Sequence, residues 1–401
     1  MKILYVNSLY PPDIAGGAEL SLAMLAGGQH ANGHDVLVAA TTGATEVIEE
    51  CVAGVPVIRL PLDNLYWPPA PDPKPDALRR LVFHARDIDN RGMAEALASV
   101  VRRFDPDVIS FHNLIGFSAS AWRVASELGK PSVQVLHDYY NLCPKSQLFR
   151  ADRNCETPCK QCSVFRVGRA QASNQVSAVV GASQAVLDAH LRNGLFAEVA
   201  ARRVINNARH YPAAPRREYP ALAKTFGFIG TVAPWKGITL VLDAFERLRR
   251  EPGMEGLRFD VAGGGEADYL AELRARYASP AIEFVGKVKP ADFFATIDAS
   301  IVPSLWHDPL PGVVFESMIF GVPVIGARRG GIPEMIAHEV DGLLFEPLAE
   351  AELDACMRLL ASVPQLLGEY GDRAQRASAH YSDTSRVINA YHQLYEEVIA
   401  A

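Results

Sequence analysis

The chain has 401 residues, of which 49% are hydrophobic and 21% charged, and its formal net charge is −7. This length predicts two domains, and the composition excludes a disordered or membrane-spanning chain. The mildly acidic balance gives no electrostatic reason to expect nucleic-acid binding. Because no segment is typical of a signal peptide or a membrane span, we expect a cytoplasmic protein. Attachment to the inner face of a membrane stays open.

In the first half of the chain, short apolar strands alternate with helical patterns. The predicted strands are Lys2–Asn7, Asp35–Ala40, Val55–Leu60, Asp107–His112, Pro131–His137 and Ala178–Ala182. Helices are predicted over Gly17–Asn32 and, as one long amphipathic helix, over Ala77–Phe104. Apolar strands separated by helices indicate a parallel sheet covered on both faces. Residues 1–207 are therefore predicted to form a Rossmann-like domain.

Residues 208–223 are rich in proline and charge, which predicts a linker, and the alternation then resumes. The predicted strands are Thr225–Thr231, Leu257–Ala262, Ile282–Gly286, Ala299–Pro303 and Pro323–Gly326. The predicted helices are Ile238–Arg250, Ala267–Tyr277, Pro290–Ile297 and Val313–Phe320. A second Rossmann-like domain is thus expected at 224–380, giving an α/β fold of two doubly wound domains that face each other across a cleft. Ligands of such sheets bind outside the carboxyl ends of the strands, so the cleft is the expected site.

Two motifs of the first domain lie at strand ends. The pair Gly16–Gly17 follows the first strand and opens a helix, where the backbone and the helix amides can approach an anion. Its spacing is not the Gly-x-Gly-x-x-Gly dinucleotide fingerprint, which disfavours an oxidoreductase. The strand Pro131–His137 ends in His137–Asp138, at the sheet edge where titratable groups usually face the ligand.

In the second domain, two carboxylates bracket a helix start. Pro311 and Gly312 predict that start, and the amides of Gly312, Val313 and Val314 would form an anion site. Glu316 can accept hydrogen bonds from sugar or ribose hydroxyls, and Asp308 stands eight positions earlier. Lys236 precedes another helix and can meet a phosphate as a point charge. Together these groups predict a cradle for a diphosphate-linked sugar.

In their order and spacing, these motifs resemble those of the family 4 retaining glycosyltransferases of GT-B fold, the glycosyl transferases group 1. The motifs that carry the resemblance span nearly the whole chain: Gly16–Gly17, His137–Asp138, Gly230 with Lys236–Gly237, Gly263-Gly264-Gly265, Pro303–Ser304, Asp308 with Glu316, Gly321-Val322-Pro323-Val324, Gly330-Gly331-Ile332-Pro333-Glu334 and Asp341–Gly342. The resemblance implies transfer of a sugar from a UDP-sugar or GDP-sugar to a saccharide or lipid-linked saccharide, as in cell-surface polysaccharide synthesis. It also implies retention of configuration and no metal requirement for the chemistry.

The resemblance further implies roles for individual residues. The catalytic residues would be His137, Asp308 and Lys236, with His137 at the reacting centre and Lys236 on the diphosphate. The donor-binding residues would be Gly16, Gly17, Lys236, Lys287, Val288, Asp308, Gly312, Val313, Val314 and Glu316. Of these, Glu316 would bind the ribose, and Lys287 and Val288 would meet the base. In this fold the last helix, expected at 381–401, packs back on the first domain.

Two positions depart from the family pattern. The family usually has a glutamate where Asp308 stands and an arginine where Thr231 stands. The shorter carboxylate changes the reach to the sugar, and the missing cation removes a phosphate contact. Arg209, Arg328 or Arg329 could replace that cation. The alternative function is therefore a catalytically impaired protein that binds a nucleotide sugar without turnover.

Four cysteines, Cys143, Cys155, Cys159 and Cys162, lie within 20 residues. In a reducing compartment such clustering favours a metal over disulfides, and four thiols suit a structural zinc ion or an iron–sulfur cluster. Because the spacing is not a standard zinc pattern, unligated thiols are the alternative. The surrounding stretch is the most basic of the chain and predicts contact with anionic lipid carriers at the acceptor entrance.

Overall fold

The computed structural model describes residues 1–69, 75–211 and 217–401. They form two compact units. The first unit comprises Met1–Leu148, Cys155–Ala208 and Thr384–Ala401, and the second comprises Phe149–Asn154 and Arg209–Asp383. These units differ from the predicted domains, because Phe149–Asn154, the described linker residues from Arg209 onward and residues 381–383 group with the second unit. Of the predicted linker 208–223, residues 212–216 lie outside the described residues.

The first unit is built on an eight-stranded sheet. The strands up to residue 208 are β1 (Lys2–Val6), β2 (Asp35–Thr42), β3 (Ile48–Val52), β4 (Val55–Pro61), β5 (Val108–Phe111), β6 (Ser132–Leu136), β7 (Phe149–Arg150), β8 (Arg153–Asn154), β9 (Ala178–Gly181) and β10 (Ala201–Val204). The sheet order is β10-β9-β6-β5-β1-β2-β4-β3, and only β3 pairs antiparallel, while β7 and β8 form a separate hairpin. The connections reverse direction between β1 and β5, and ligands of doubly wound sheets bind at such a switch point.

The helices of this part of the chain agree with the predicted ones except that one long predicted helix is two helices. They are α1 (Gly17–Ala31), α2 (Ala77–Arg86), α3 (Arg91–Phe104), α4 (Ser120–Glu127), α5 (Lys160–Phe165), α6 (Arg169–Ser173) and α7 (Gln184–Arg192). The prediction of one helix over Ala77–Phe104 is wrong, because the helical conformation is interrupted between α2 and α3. Asn90 caps α3 by accepting from the Met93 amide at 3.2 Å, and its own amide group donates to the Gly116 carbonyl at 2.9 Å. The Asp87 carboxylate accepts from the Gly116 amide at 2.8 Å, so long-range bonds stabilise the interruption.

The second unit is built on a six-stranded, fully parallel sheet. Its strands are β11 (Thr225–Ile229), β12 (Arg258–Ala262), β13 (Ile282–Gly286), β14 (Ala299–Val302), β15 (Val324–Ala327) and β16 (Gly342–Phe345), and its helices are α8 (Ile238–Leu248), α9 (Ala267–Tyr277), α10 (Pro290–Thr296), α11 (Gly312–Ile319), α12 (Glu350–Ser362), α13 (Leu366–Ala377) and α14 (Ala379–Ser382). The order β13-β12-β11-β14-β15-β16 is that of a dinucleotide-binding doubly wound sheet. Its switch point lies between β11 and β14.

The last helix, α15 (Thr384–Ala400), belongs to the first unit. The Gln29 side chain of α1 donates to the Ile388 carbonyl at 2.8 Å, and Tyr395 is fully buried in the core of this unit. The predicted segment began at Tyr381, but that residue lies in the second unit, where its ring stacks on Phe315 at 5.4 Å. Among the helices that the structure describes, none is long and apolar enough to cross a membrane.

Candidate functional site

Lys236 and Asp308 meet at the switch point of the second sheet. Lys236 ends a 3₁₀ turn after β11, and Asp308 lies on the loop after β14. Gly237 has a φ of +75°, and a Cβ there would lie 2.0 Å from the Pro303 carbonyl oxygen, so only glycine permits this close approach of the two loops. The Lys236 Nζ donates to the Asp308 Oδ2 at 2.5 Å. The structure therefore brings these two predicted site residues together.

The Gly330–Gly331 motif holds the backbone of Asp308. The Gly331 amide donates to the Asp308 carbonyl at 2.8 Å. A Cβ on Gly330 would lie 2.0 Å from the same oxygen. The Asp308 side chain is buried, whereas the Lys236 side chain is 23% exposed and its ammonium lies 5.2 Å from the centre of the Trp306 ring. A fixed carboxylate thus positions a cation that solvent and an anionic ligand can reach.

Helix α11 begins beside this ion pair. Its first residue is Gly312, one position before the predicted start, and Pro311 is its N-cap. The Val314 amide donates to the Pro311 carbonyl at 3.1 Å. Of the three amides predicted to bind an anion, that of Val314 is therefore already used in a turn. Gly312 and Val313 precede it at the positive end of the helix dipole.

Glu316 is buried in α11 beside an arginine and a tyrosine. Its side chain is 3% exposed, and its Oε1 accepts a hydrogen bond from the Arg209 Nη1. Burial of the Tyr211 hydroxyl, followed by the nearby charge of Glu316, raises the pKa of Tyr211 to about 12. A buried carboxylate requires such partners. Arg209 is predicted from the sequence only as a residue that contacts phosphate, and Tyr211 lies in no predicted motif.

The other predicted residues of the second unit are more exposed. Arg328 is exposed, and both terminal nitrogens of Arg329 bond to Glu346. Lys287 and Val288 follow β13 and are exposed. A Cβ on Gly264 would lie 2.9 Å from the Lys287 Cε, so the stem of this lysine covers the turn after β12.

In the first unit, the Gly16–Gly17 turn is exposed, and one of its backbone amides already has a hydrogen-bond partner in the helix that follows. The Gly16 amide donates to the Glu19 Oε2 at 2.9 Å, an arrangement that caps α1. The Gly16 amide therefore already has an acceptor, and Gly17 is the first residue of the helix. Arg59 anchors the preceding loop, because its buried guanidinium donates to the Pro11 carbonyl at 2.7 Å.

His137 lies directly after β6 and pairs with a second histidine that sequence reasoning missed. The His137 Nε2 lies 2.8 Å from the His112 Nδ1, and the two rings stack at 5.1 Å. Burial lowers the pKa of His137 to about 4, and burial followed by the His137 charge lowers the pKa of His112 well below its usual range. Both rings are therefore neutral at pH 7, and one donates to the other. The His137 Nδ1 is buried without a hydrogen-bond partner among the described residues.

Asp138 adds a carboxyl group next to this pair. Its Oδ2 accepts from the Asn113 side chain at 2.9 Å, and its Oδ1 accepts from the Tyr140 amide at 2.7 Å. Burial raises the pKa of Asp138 to about 6, although the Tyr140 amide bond opposes the shift. The edge of this sheet thus carries neutral imidazoles and a carboxyl group that titrates near neutrality.

The buried histidines predict a loss of stability in acid. Burial lowers the pKa of His190 to about 4, below the pKa that this histidine has in the unfolded chain. The neutral ring therefore stabilises the folded chain fully at pH values above the unfolded-state pKa. This stability is lost as the pH falls, by about 2 kcal/mol between pH 8 and pH 5. In urea denaturation of the whole chain at these two pH values, we expect His190→Gln to reduce the acid-induced loss by about that amount. An unchanged loss would contradict the prediction.

The cysteine cluster forms sulfur–sulfur contacts that centre on Cys162. The Cys159 Sγ lies 3.6 Å from the Cys162 Sγ, and the Cys162 thiol also hydrogen-bonds with Cys143. In residues 1–69, 75–211 and 217–401, no group of three or more His, Cys, Asp or Glu side chains is arranged to hold a metal ion. The structure therefore gives the metal hypothesis at Cys143, Cys155, Cys159 and Cys162 no support, and it stays a prediction from the spacing.

Comparison with known proteins gives matches along most of the chain. The family model of a glycosyl transferase 4-like domain matches residues 16–208, and that of glycosyl transferases group 1 matches residues 223–362. An uncharacterized 42.6 kDa protein in the cps region of Klebsiella pneumoniae is 27% identical over 84% of this chain and 87% of its own length. A GDP-mannose-dependent alpha-mannosyltransferase of Corynebacterium glutamicum is 25% identical over 86% of this chain and 77% of its own.

Solved structures extend the likeness to the whole fold. The structure of Anabaena HepE in complex with UDP and glucose has 20% sequence identity and a TM-score of 0.70, with 99% of each chain covered. Sucrose-phosphate synthase from Thermosynechococcus elongatus has a TM-score of 0.74 at 18% identity, with 100% of this chain and 99% of that chain covered. The predicted fold class, GT-B with two Rossmann-like units, is confirmed.

Proposed function

Because the chain belongs to the group 1 glycosyltransferases, we propose that its second unit binds a nucleotide diphosphate sugar and that the enzyme transfers the sugar to a saccharide or lipid-linked saccharide. The observation that carries this proposal is the arrangement at the second switch point. There, Lys236, Asp308 and the start of α11 lie on loops that follow adjacent strands. This is where a doubly wound sheet places its ligand.

The diphosphate is proposed to bind Lys236 and the first amides of α11. As the bond between the sugar and the phosphate breaks, negative charge develops on the departing oxygen. Fixed positive groups stabilise that charge more than they stabilise the ground state, which accelerates the reaction. The diphosphate competes with Asp308 for the Lys236 ammonium, and Asp308 then accepts hydrogen bonds from the sugar hydroxyls. The proposed chemistry requires no metal ion.

Glu316 is proposed to bind the ribose. Its carboxylate is buried and held by the Arg209 guanidinium, and its oxygens can accept hydrogen bonds from the ribose hydroxyls. Lys287 and Val288, on the exposed turn after β13, are proposed to meet the base.

The first unit is proposed to bind the acceptor, with His137 at the reacting sugar. A neutral imidazole whose Nε2 is fixed by His112 offers its Nδ1 for one hydrogen bond to a hydroxyl. Gly17, at the start of α1, would approach the donor with its backbone. Retention would follow from attack on the face that the diphosphate leaves.

The first experiment is a thermal-shift screen of UDP-, GDP- and ADP-sugars, because a ligand that binds only the folded protein raises its melting temperature. The names of the relatives include a GDP-mannose enzyme and a UDP complex, so both bases are tested. The nucleotide that binds is then used in transfer assays with saccharide acceptors, with and without EDTA, and NMR gives the anomeric configuration of the product. We expect transfer with retention that EDTA does not inhibit. If no nucleotide binds, the proposal fails, and binding without transfer or hydrolysis would favour the alternative without turnover.

A further inference from the structure

We propose that Arg209 is a second diphosphate-binding cation of the donor site and that it links the phosphates to the ribose-binding carboxylate of Glu316. This inference rests on the proposed function and deepens it. Arg209 lies 27 positions before Lys236 in the sequence and outside every motif of the donor site. The structure nevertheless places its guanidinium at the start of α11.

The position of Arg209 is fixed from several sides. Its backbone amide donates to the Tyr381 carbonyl at 2.9 Å, and its guanidinium carbon lies 5.8 Å from the centre of the Phe315 ring. A Cβ added to Gly312 would lie 3.2 Å from the Arg209 Nη1 and 3.3 Å from its Nη2. The guanidinium therefore lies against the first residue of the helix, and the glycine leaves room for it.

The Arg209 guanidinium has more N–H donors than its bond to Glu316 uses. It carries five N–H groups, of which the Nη1 bonds to Glu316 and another bonds to the Tyr211 hydroxyl, while the Nε is buried without a partner among the described residues. Its side chain is 22% exposed, so an anion can reach it. A planar fork can bond a carboxylate with one nitrogen and a phosphate with the other, which a lysine cannot do with the same geometry. Arg209 can thus hold Glu316 and contact a phosphate at the same time.

The neighbouring arginines are arranged differently. Both terminal nitrogens of Arg329 bond to Glu346, and Arg328 is exposed at the end of β15. In the part of the chain that the structure describes, Arg209 bonds to Glu316 and lies against Gly312, and both residues belong to the proposed donor site.

The test compares a nucleoside with its diphosphate. Affinities of UDP and uridine, or of GDP and guanosine if the guanine nucleotide binds better, are measured for the wild type and for Arg209→Gln and Arg209→Lys. Calorimetry serves for the diphosphates and NMR titration for the weaker nucleosides. We expect Arg209→Gln to weaken diphosphate binding by about 10-fold to 100-fold and nucleoside binding by much less. Arg209→Lys should recover only part of the loss, because it keeps the charge without the fork.

The control variant is Arg358→Gln, which also removes an arginine from an ion pair of the second unit, that with Glu251, and should leave both affinities unchanged. Arg209→Lys keeps a cation beside buried Glu316, so it reports on binding even if Arg209→Gln does not fold. An equal loss for nucleoside and diphosphate would mean that Arg209 only positions Glu316, and no loss would mean that it does not contact the ligand. Either result overturns the inference. A wild type that binds no nucleotide would instead remove the proposed function itself.

Discussion

Glu316→Gln is expected to lower kcat/KM for sugar transfer by about 100-fold to 1000-fold, because it replaces a carboxylate with an amide and weakens the proposed hydrogen bonds to the ribose. The substitution keeps the size of the side chain and removes its charge. If Glu316 holds the ribose, the loss is shared by nucleoside, nucleotide and sugar nucleotide alike. Initial rates of transfer, together with nucleotide affinities, check this result.

The matched control is Glu251→Gln. Glu251 also bonds an arginine, Arg358, but these two side chains are partly exposed, at 37% and 42%, whereas Glu316 is buried. The control should retain wild-type transfer, since exposed ion pairs contribute little to stability. A Glu316→Gln enzyme with wild-type kinetics would contradict the ribose assignment, provided that its melting temperature shows a folded protein.

Lys236→Met is expected to lower kcat by about 100-fold to 1000-fold, the cost of removing one group that stabilises developing charge. Methionine keeps much of the aliphatic stem but removes the ammonium, which lies 5.2 Å from the centre of the Trp306 ring. The loss should appear in single-turnover rates at saturating donor, because the lysine acts most strongly on the departing diphosphate.

Two further variants separate catalysis from stability. Lys236→Met leaves the buried Asp308 carboxylate without its cation, which lowers stability, whereas the double variant Lys236→Met, Asp308→Asn removes both charges. The double variant should regain melting temperature without regaining activity. Lys130→Met, which breaks the lysine–aspartate pair with Asp105 in the first unit, should transfer at the normal rate. Recovery of activity in the double variant would contradict the assigned role of Lys236.

The parts of the fold that the sequence predicted are those with local signals. Apolar runs such as those of β1 and β6 appear within one residue of their predicted ends. The edge strand β3 was missed, because its residues, including Glu49 and Glu50, are mostly exposed and lack an apolar pattern. The break between α2 and α3 was missed because it depends on bonds to Gly116, far along the chain.

In the site, too, the residues that lie in local motifs were predicted, and their partners from distant parts of the chain were not. Lys236, Asp308 and Glu316 stand in motifs with their own glycines and prolines, so their types and spacing mark them. The partners of these residues do not, because Arg209 reaches Glu316 across 107 positions and His112 reaches His137 across 25. Nor could a sequence show that the Gly16 amide is already bonded to Glu19. Contacts of this kind depend on the order of strands in the sheet and on the loops that the order brings together.

The most direct test of the donor site is a crystal structure with the bound nucleoside diphosphate. We predict phosphate oxygens within hydrogen-bond distance of the Lys236 Nζ and of the Gly312 or Val313 amide, and ribose hydroxyls on the Glu316 carboxylate. A nucleotide bound elsewhere in the chain, with the Lys236–Asp308 pair intact and Glu316 out of reach of the ribose, would contradict the account.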